Sequence, residues 1–498
     1  MHRSIALLIA TVLAVTAVHG AELTILCAAG LRKPAEAAAA TYTAATGTQV
    51  RFQFAGSGQL MGVLAAGAPA DLVLVGDGSY LTIGRERKVL REGIPLASQH
   101  PVIAVRAGNP AKVAGLETLL AGTVKFSLAN PEAASIGRTL KVGLGERWPA
   151  LAKAATVTKP TVTELVNDLQ VGSVDAAVVW NSTIAGLPGL MAVEDPALAK
   201  LEETPIAAVS ASTKQPSVAL AFARWLASPE HGGPAWTAAG FTAKAGDIWA
   251  VKPVLSLYAG SVNRLGIQAT LKEFEEREGV EITTKFNGCG ILCAEMKLLD
   301  DAAMPDAYYA CDICFVAPVA KQFPTAVILT EADIVIAVPK GNPKGIKDLA
   351  DLAKPGIRLG IGNHRQSTLG YMTDRMLDAA GIKAAVLANA VSQVPVGDLL
   401  VTQLRAGTLD AAIVYNTNAK PQAETLDTIP LLVPGARAMQ PFAVRALSPR
   451  AQLAGRLLEA LVANRARFES AGFRWRADGT PVPSSKFSAD PADANRPK

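Results

Sequence analysis

The residues best suited to chemistry are four cysteines in the second half of the 498-residue chain. They form two closely spaced pairs, Cys289 with Cys293 and Cys311 with Cys314. Disulfides are the default interpretation in an oxidising compartment, and the sequence cannot choose their connectivity. Two alternatives stay open: thiolates that bind copper or zinc, and Cys-x-x-Cys acting alone as a redox pair. The fifth, Cys27, lies in an apolar run and is predicted to be a buried free thiol.

Other catalytic patterns are missing from the sequence. After the N-terminal segment only His100, His231 and His364 remain, widely separated, and there is no Gly-x-Ser-x-Gly, Walker or His-Glu-x-x-His motif. We therefore expect no enzyme. The net charge is +5 and the sequence has no run of five Lys or Arg residues, so no basic segment indicates binding to nucleic acid or to an anionic membrane.

The N-terminus has the composition of a secretory signal. Arg3 supplies positive charge, Ile5 to Val18 is an apolar run too short for a membrane span, and small residues flank Gly20. We predict cleavage near Gly20, before Ala21. The mature protein is then expected in the periplasm, where disulfides form.

An internal repeat organises the rest of the chain. Six landmarks recur in the same order at offsets of 231 to 235 residues, which indicates two copies of one domain. They include Phe54–Gly58 with Phe286–Gly290, Val105–Pro110 with Val338–Pro343, and Asp175–Asn181 with Asp410–Asn416. We predict a signal peptide at 1–20, domains at 21–247 and 253–478, and a flexible Pro-rich tail at 479–498.

Each copy alternates apolar strands with helices. In the first copy, strands are predicted at Ala21–Leu26, Gln49–Phe54 and Leu72–Val75, with helices at Pro34–Thr46 and Gln59–Ala66. Strand, helix, strand implies parallel pairing, and such sheets bind ligands at the carboxyl ends of their strands. The repeated loops at Ala29-Gly30, Gly56–Gly58 and Gly76-Asp77 fall at those ends.

These motifs resemble the type II periplasmic solute-binding proteins of ABC transporters, and among them the periplasmic molybdate-binding family. The first copy carries Gly67–Leu72, Gly-Ala-Pro-Ala-Asp-Leu, and the second carries Val414–Ala419, Val-Tyr-Asn-Thr-Asn-Ala. The resemblance covers nearly all of both copies. It implies an α/β protein with two tandem folds of this type, each with two lobes whose mostly parallel sheets are flanked by helices.

The resemblance also implies which positions hold a tetrahedral oxyanion: two Ser hydroxyls, backbone N–H groups at helix starts, and a Tyr hydroxyl. In the second copy these positions are Ser261, Cys289, Leu369 and Tyr415. In the first copy they are Gly30, Ser57, Ile136 and Trp180. Both copies depart from the pattern, because Gly lacks a hydroxyl, Cys is a weak donor and the Trp N–H projects further than a Tyr hydroxyl.

Each candidate also has a purely structural interpretation. Trp180 and Tyr415 end apolar runs and could be core aromatics, while Ser57 and Ser261 could be helix caps. Arg365 lies in a donor-rich loop before Leu369, and a charge-assisted anion site follows if its side chain turns inward.

The sequence thus predicts an exported solute-binding protein of an ABC transporter that captures a small oxyanion of the molybdate or tungstate class between two lobes. It is expected to be a monomer, to need no cofactor and to deliver the anion to a membrane permease. The alternative function is a copper-binding, zinc-binding or redox module that uses Cys289, Cys293, Cys311 and Cys314.

Overall fold

A computed structural model describes residues 21–490 of the chain. The predicted signal peptide and its cleavage site lie outside the described residues, as do the last eight residues, 491–498. None of the helices in the described part is long and apolar enough to cross a membrane.

The first half of the described chain contains twelve strands and eleven helices. The strands are β1 (Glu22–Ala28), β2 (Gln49–Ala55), β3 (Leu72–Val75), β4 (Leu90–Pro95), β5 (Ala97–Ser98), β6 (Pro101–Arg106), β7 (Phe126–Ala129), β8 (Val157–Lys159), β9 (Ala176–Trp180), β10 (Leu190–Val193), β11 (Ile206–Ser210) and β12 (Thr242–Ala243). The helices are α1 (Arg32–Thr46), α2 (Ser57–Ala65), α3 (Ser79–Glu86), α4 (Leu116–Leu120), α5 (Ser135–Leu144), α6 (Trp148–Ala154), α7 (Val162–Gln170), α8 (Asn181–Ile184), α9 (Pro196–Ala199), α10 (Pro216–Ala227) and α11 (Gly232–Ala238).

The second half repeats this order with eleven strands and eight helices. The strands are β13 (Val254–Gly260), β14 (Glu281–Asn287), β15 (Ala307–Tyr309), β16 (Thr325–Pro339), β17 (Leu359–Gly362), β18 (Ala390–Val394), β19 (Ala411–Tyr415), β20 (Leu426–Pro430), β21 (Arg437–Val444), β22 (Arg474–Trp475) and β23 (Val482–Pro483). The helices are α12 (Arg264–Glu278), α13 (Cys289–Met296), α14 (Thr368–Ala379), α15 (Lys383–Ala388), α16 (Gly397–Arg405), α17 (Asn416–Ala419), α18 (Ala451–Ala463) and α19 (Arg465–Ser470).

The first domain has two lobes, each built on its own five-stranded sheet. Lobe A has the order β2-β1-β3-β11-β4, and lobe B has β10-β6-β9-β7-β8. Strand β1 is parallel to both β2 and β3, as predicted, and β7 is parallel to β8 and β9. The strands β3, β7 and β9 are entirely buried, which is usual for strands of a sheet covered on both faces. The predicted α/β class is confirmed.

The second domain has the same two lobes, but one long strand joins their sheets. Strand β16 pairs with β21 in lobe A and with β19 in lobe B, and its register shifts between Ile328 and Thr330. This irregularity lies within the pairing with β21, and the strand passes to β19 only after Asp333. The same strands of the repeat lie parallel here too, with β13 beside β14 and β15.

Strand register corrects one detail of the repeat. Glu22 pairs with Gln49, and Val254 pairs with Glu281, so the first strands of the two domains correspond at an offset of 232. Ser261 therefore corresponds to Ala29, and Gly30 corresponds to Val262. Pairing Ser261 with Gly30 on the letters alone is wrong by one residue.

The described chain divides into two compact units that do not coincide fully with the predicted domains. The first comprises 21–91, 98–222 and 235–242, and the second comprises 92–97, 223–234 and 243–490. The tail prediction is wrong for residues 482–487, because β23 pairs with the start of β16 and Phe487 is buried against the same core. These apolar contacts hold the segment in place.

Candidate ligand pockets

Each domain has a small pocket where strand ends of lobe A meet helix starts of lobe B. The first pocket has an empty volume of about 310 Å³. It is lined by Ala28, Ala29, Gly30, Leu31, Gly56, Ser57, Gly76, Gln99, Ala134, Ser135, Thr161, Val162 and Trp180.

The second pocket lies at the equivalent place and has an empty volume of about 250 Å³. It is lined by Ser261, Val262, Asn287, Gly288, Cys311, Ser367, Leu369, Pro395, Val396, Gly397, Tyr415 and Asn418. Among the described residues, no charged side chain lines either pocket. The polar groups in both are neutral hydroxyls, thiols, amides and backbone atoms.

A repeated glycine pair brings the two lobes together beside each pocket. A Cβ at Gly56 would overlap the carbonyl oxygen of Ala133, and one at Gly58 would overlap that of Glu132. In the second domain, a Cβ at Gly288 or Gly290 would overlap the equivalent backbone of lobe B. The Gly-x-Gly element seen in the repeat is therefore required by the close approach of two backbones.

The first pocket presents hydroxyl donors. Ser57 is the first residue of α2, and its Oγ accepts a hydrogen bond from the Gly76 N–H at 3.1 Å, which leaves the hydroxyl hydrogen available. Ser135 lines the pocket at the start of α5, where the first N–H groups have no intrahelical partner. The predicted Ile136 is fully buried next to Ser135 and does not line the pocket, whereas the predicted Trp180 does.

The second pocket presents Ser261, Ser367 and Tyr415. Ser367 caps α14, because its Oγ accepts a hydrogen bond from the Gly370 N–H at 3.3 Å, and Leu369 lines the wall beside it. The Tyr415 hydroxyl is buried without a hydrogen-bond partner. Burial raises the pKa of Tyr415 well above its usual value, so the group remains a neutral donor.

The two cysteine pairs seen in sequence are not the pair that meets in space. The Cys289 and Cys311 Sγ atoms lie 2.7 Å apart, and the Cys311 N–H donates to the Cys289 Sγ at 3.1 Å. Cys311 lines the second pocket, and Cys289 lies directly behind it with no exposed surface. All five cysteines of the chain are free thiols, so the default disulfide prediction does not match the structure. Cys27 is buried in β1, as predicted.

The four-cysteine copper or zinc site is also not formed. Within residues 21–490 no group of three or more His, Cys, Asp or Glu side chains could hold a metal ion. Cys293 lies one helical turn from Cys289 and its thiol donates to the Phe315 carbonyl oxygen at 3.0 Å. The Cys314 N–H donates to the Asp312 Oδ1 at 3.0 Å, and Asp312 caps a short 3-10 helix in this way. The local spacing of each pair directs its second cysteine away from the pocket.

The two thiols of the close pair titrate as one unit. Burial disfavours a Cys289 thiolate, but hydrogen bonds from the Cys311 thiol, from Tyr308 and from the Cys311 N–H outweigh it and lower the pKa of Cys289. Burial, followed by the bond to Cys289, raises the pKa of Cys311 well above its usual value. The pair therefore loses its first proton, from Cys289, more easily than its second.

Arg365 does not turn into the second pocket. Its side chain is exposed, and its backbone N–H donates to the Asn363 Oδ1 at 3.0 Å in a tight turn. The turn points the side chain to solvent, and the predicted charge-assisted anion site is not formed.

A different arginine links the lobes of the first domain. The Arg138 Nε on α5 donates to the Ser79 Oγ at 3.0 Å, and its guanidinium lies 5.9 Å from the centre of the Tyr80 ring. At the same place in the second domain, the Tyr371 and Phe315 rings pack edge to face at 6.0 Å. The first domain thus closes its cleft with a polar contact and the second with an aromatic one.

Several pocket residues were missed by the sequence analysis. They are Ser135, Gln99, Ser367, Asn418 and, as a pocket residue, Cys311. Ser135 lies one residue before the predicted Ile136, so the helix-start position was located correctly but its side chain was overlooked. Gln99 donates from its amide to the Gly76 carbonyl oxygen at 3.0 Å, a contact without any signal in the sequence.

The architecture is that of a tandem binding protein, with two domains that each enclose a neutral, donor-lined pocket between two lobes. The chain belongs to the family of bacterial extracellular solute-binding proteins, whose profile matches it twice, at residues 23–242 and 255–474.

Individual relatives are distant. A Haemophilus influenzae protein, provisionally assigned as a binding protein, is 24% identical over 181 residues, which covers 35% of this chain and 71% of that protein. The Azotobacter vinelandii periplasmic molybdate-binding protein is 17% identical and covers 44% of this chain and 98% of its own, with a TM-score of 0.37. The sulfate-binding protein SubI from Mycobacterium tuberculosis is also 17% identical and covers 45% of this chain and 87% of its own, with a TM-score of 0.37.

Proposed function

We propose that this protein is an exported component of an ABC transporter that captures a small tetrahedral oxyanion of the molybdate or tungstate class. The first pocket is the proposed binding site for this anion. The anion is then delivered to a membrane permease, and the binding protein acts as a monomer without enzymatic activity. Cleavage of the N-terminal segment near Gly20 places the mature chain in the periplasm.

The observation that supports this proposal is the set of neutral donors around a small pocket. Ser57 and Ser135 each have a hydroxyl at the wall, and the N-terminus of α5 points its unpaired N–H groups to the same place. No carboxylate among the described residues lines this pocket, so a bound anion meets no like charge. Donors of this kind replace the hydration shell of an anion without a counter-charge.

Closure of the two lobes explains how neutral donors hold a doubly charged ligand. The Gly56 and Gly58 backbones lie directly against lobe B. Further closure of the lobes around a ligand would exclude water from the pocket. Each hydrogen bond to a charged oxygen is stronger in such a low-dielectric site than in water. Hinge closure around the ligand is a known way for two-lobed proteins to create this environment.

The test is a titration of the full mature chain with molybdate, tungstate and sulfate, followed by calorimetry and native mass spectrometry. We expect saturable binding of one anion that depends on the first pocket. Removing one hydroxyl in Ser57→Ala or Ser135→Ala should weaken binding about 10- to 100-fold, because a hydrogen bond to a charged group contributes about 1.5–3 kcal/mol.

The matched control is Ser173→Ala, which removes an exposed hydroxyl that does not line the pocket and donates to the Asp168 carbonyl oxygen. It should bind like the unchanged protein. Equal affinity in all three variants, or no uptake of any of the three anions, would contradict the proposal.

A further inference from the structure

Three positions in or directly behind the pocket wall differ together between the domains. At equivalent places, the first domain has Ala28, Ser57 and Gly76, and the second has Gly260, Cys289 and Cys311. The backbone hydrogen bond survives the exchange: the Gly76 N–H donates to the Ser57 Oγ at 3.1 Å, and the Cys311 N–H donates to the Cys289 Sγ at 3.1 Å. The second domain thus has the same backbone hydrogen bond, but two thiols stand where the first domain has a single hydroxyl.

The glycine makes room for the second thiol. A Cβ at Gly260 would overlap the Cys311 Sγ and would lie 2.9 Å from the Cys289 Sγ. The Cys311 side chain therefore occupies space that an alanine at this position would fill. Two sulfur atoms 2.7 Å apart are close enough to bond to one common atom.

The rest of the second pocket offers donors but no charge. The Tyr415 hydroxyl, in the pocket wall, is buried and has no hydrogen-bond partner. The buried Thr368 hydroxyl lies beside both thiols, and its hydrogen bonding lowers the pKa of each. No carboxylate and no third thiol joins the close pair within the described residues. A metal ion that needs three or four protein ligands therefore finds only two here. A small neutral molecule that bears hydroxyl groups and a thiophilic atom matches this set.

We propose that the second pocket captures a trivalent arsenic or antimony oxyacid, which Cys289 and Cys311 bind covalently. This inference rests on the proposed function only in treating both pockets as capture sites for small oxyacids. In the step with arsenous acid, As(OH)₃, two S–H bonds and two As–O bonds break. Two S–As bonds form, and two water molecules leave. No electron is transferred, and the remaining As–OH group faces the hydroxyl donors of the pocket.

Oxidation of Cys289 and Cys311 to a disulfide competes with binding of the arsenic or antimony oxyacid. That reaction removes two electrons and two protons and needs an oxidant, such as a periplasmic dithiol oxidase. It would also remove both thiols from the pocket. The oxidation state of the pair therefore decides whether the second pocket binds a thiophilic ligand.

The test uses the full mature chain, reduced and then freed of reductant under anaerobic conditions, with sodium arsenite as the probe. Native mass spectrometry should show a gain of one As(OH)₃ less two water molecules, and X-ray absorption should show two sulfur neighbours and one oxygen neighbour at arsenic. Cys289→Ser and Cys311→Ser should each weaken arsenite retention about 100-fold or more, because two linked attachment points exceed one by about that factor.

The matched control is Cys293→Ser, which removes another buried thiol of the same helix and should retain arsenite fully. The triple variant Gly260→Ala/Cys289→Ser/Cys311→Gly, which rebuilds the first-domain residues in the second pocket, should fold and bind no arsenite.

Two results would overturn the inference. One is equal arsenite retention in Cys289→Ser, Cys311→Ser and Cys293→Ser. The other is an absence of the arsenite adduct in the reduced protein, whether or not the pair closes to a disulfide on oxidation. Molybdate binding is measured separately through Ser57→Ala, so loss of either ligand is distinguished from loss of the other.

Discussion

The two pockets share one backbone arrangement and differ in the side chains that this backbone holds. In the first, a hydroxyl on Ser57 is held by the backbone of Gly76, and in the second a thiol on Cys289 is held by the backbone of Cys311. The flanking glycines that let the lobes meet are present in both. The comparison shows that backbone geometry was retained after duplication, while the donor chemistry changed from hard oxygen to soft sulfur.

Small and large residues are also exchanged across the two clefts. In the first domain a Cβ at Gly30 would lie 3.0 Å from the Val162 Cγ2, so the glycine makes space for the valine. Strand and helix registers place Val262 and Gly397 at the same two positions of the second domain. Both residues line the second pocket, but the space beside Gly397 is taken by Asn418 of the same lobe, whose Oδ1 would lie 2.6 Å from a Cβ at that glycine. The two clefts are therefore filled by different side chains at this point.

The largest effect is expected from a substitution of Gly260, the glycine that makes room for the Cys311 side chain. Gly260→Ala forces a methyl group into the Cys311 sulfur and should destabilise the protein by about 1–3 kcal/mol, the usual result of overpacking. Urea unfolding of the full chain measures this change. Adding Cys311→Gly should restore most of the stability, and a double variant no more stable than Gly260→Ala would show that the two positions are not coupled.

A smaller effect is expected from the polar contact that closes the first cleft. Arg138→Ala removes the bond to Ser79 and the guanidinium above Tyr80, and should weaken anion binding a few-fold, since a partly exposed contact contributes about 0.5–1 kcal/mol. Calorimetry with the anion measures it. Tyr371→Leu, which removes the aromatic contact of the second domain, should leave that affinity unchanged. A loss of equal size in both variants would mean that the clefts do not act independently.

The smallest effect concerns a carboxyl group found in one domain. Burial, followed by the charge of Asp77, raises the pKa of Glu203 to about 7. Register places Ala438 at the equivalent position of the second domain. The folded protein keeps this proton while the unfolded chain, with an ordinary Glu, loses it. This contribution to stability is therefore full below about pH 4 and is lost as the pH rises through about 7.

Glu203→Gln should thus be more stable than the unchanged protein above pH 7, by less than about 1 kcal/mol because Glu203 is partly exposed to solvent. Unfolding curves between pH 4 and 9 check this. Parallel pH profiles for the two proteins would argue against the raised pKa.

The sequence by itself determined the duplication, the α/β class and the face that carries the pockets. The predicted Leu72–Val75 is β3 exactly as bounded in the structure, and Gln49–Phe54 differs from β2 by one residue. These predictions succeeded because alternating apolar runs and turn residues act locally along the chain. The strand ends then define the ligand edge of a parallel sheet.

Only the tertiary structure decided which side chains meet. Cys289 and Cys311 are 22 residues apart and come together because α13 begins close to the point where β15 ends. Cys293, only four residues from Cys289, points elsewhere. The one-residue shift between Ala29 and Ser261, the outward turn of Arg365 and the packed Phe487 likewise depend on register and on contacts between distant segments. Spacing along the chain specifies an element, but convergence of side chains depends on how separate elements pack against each other.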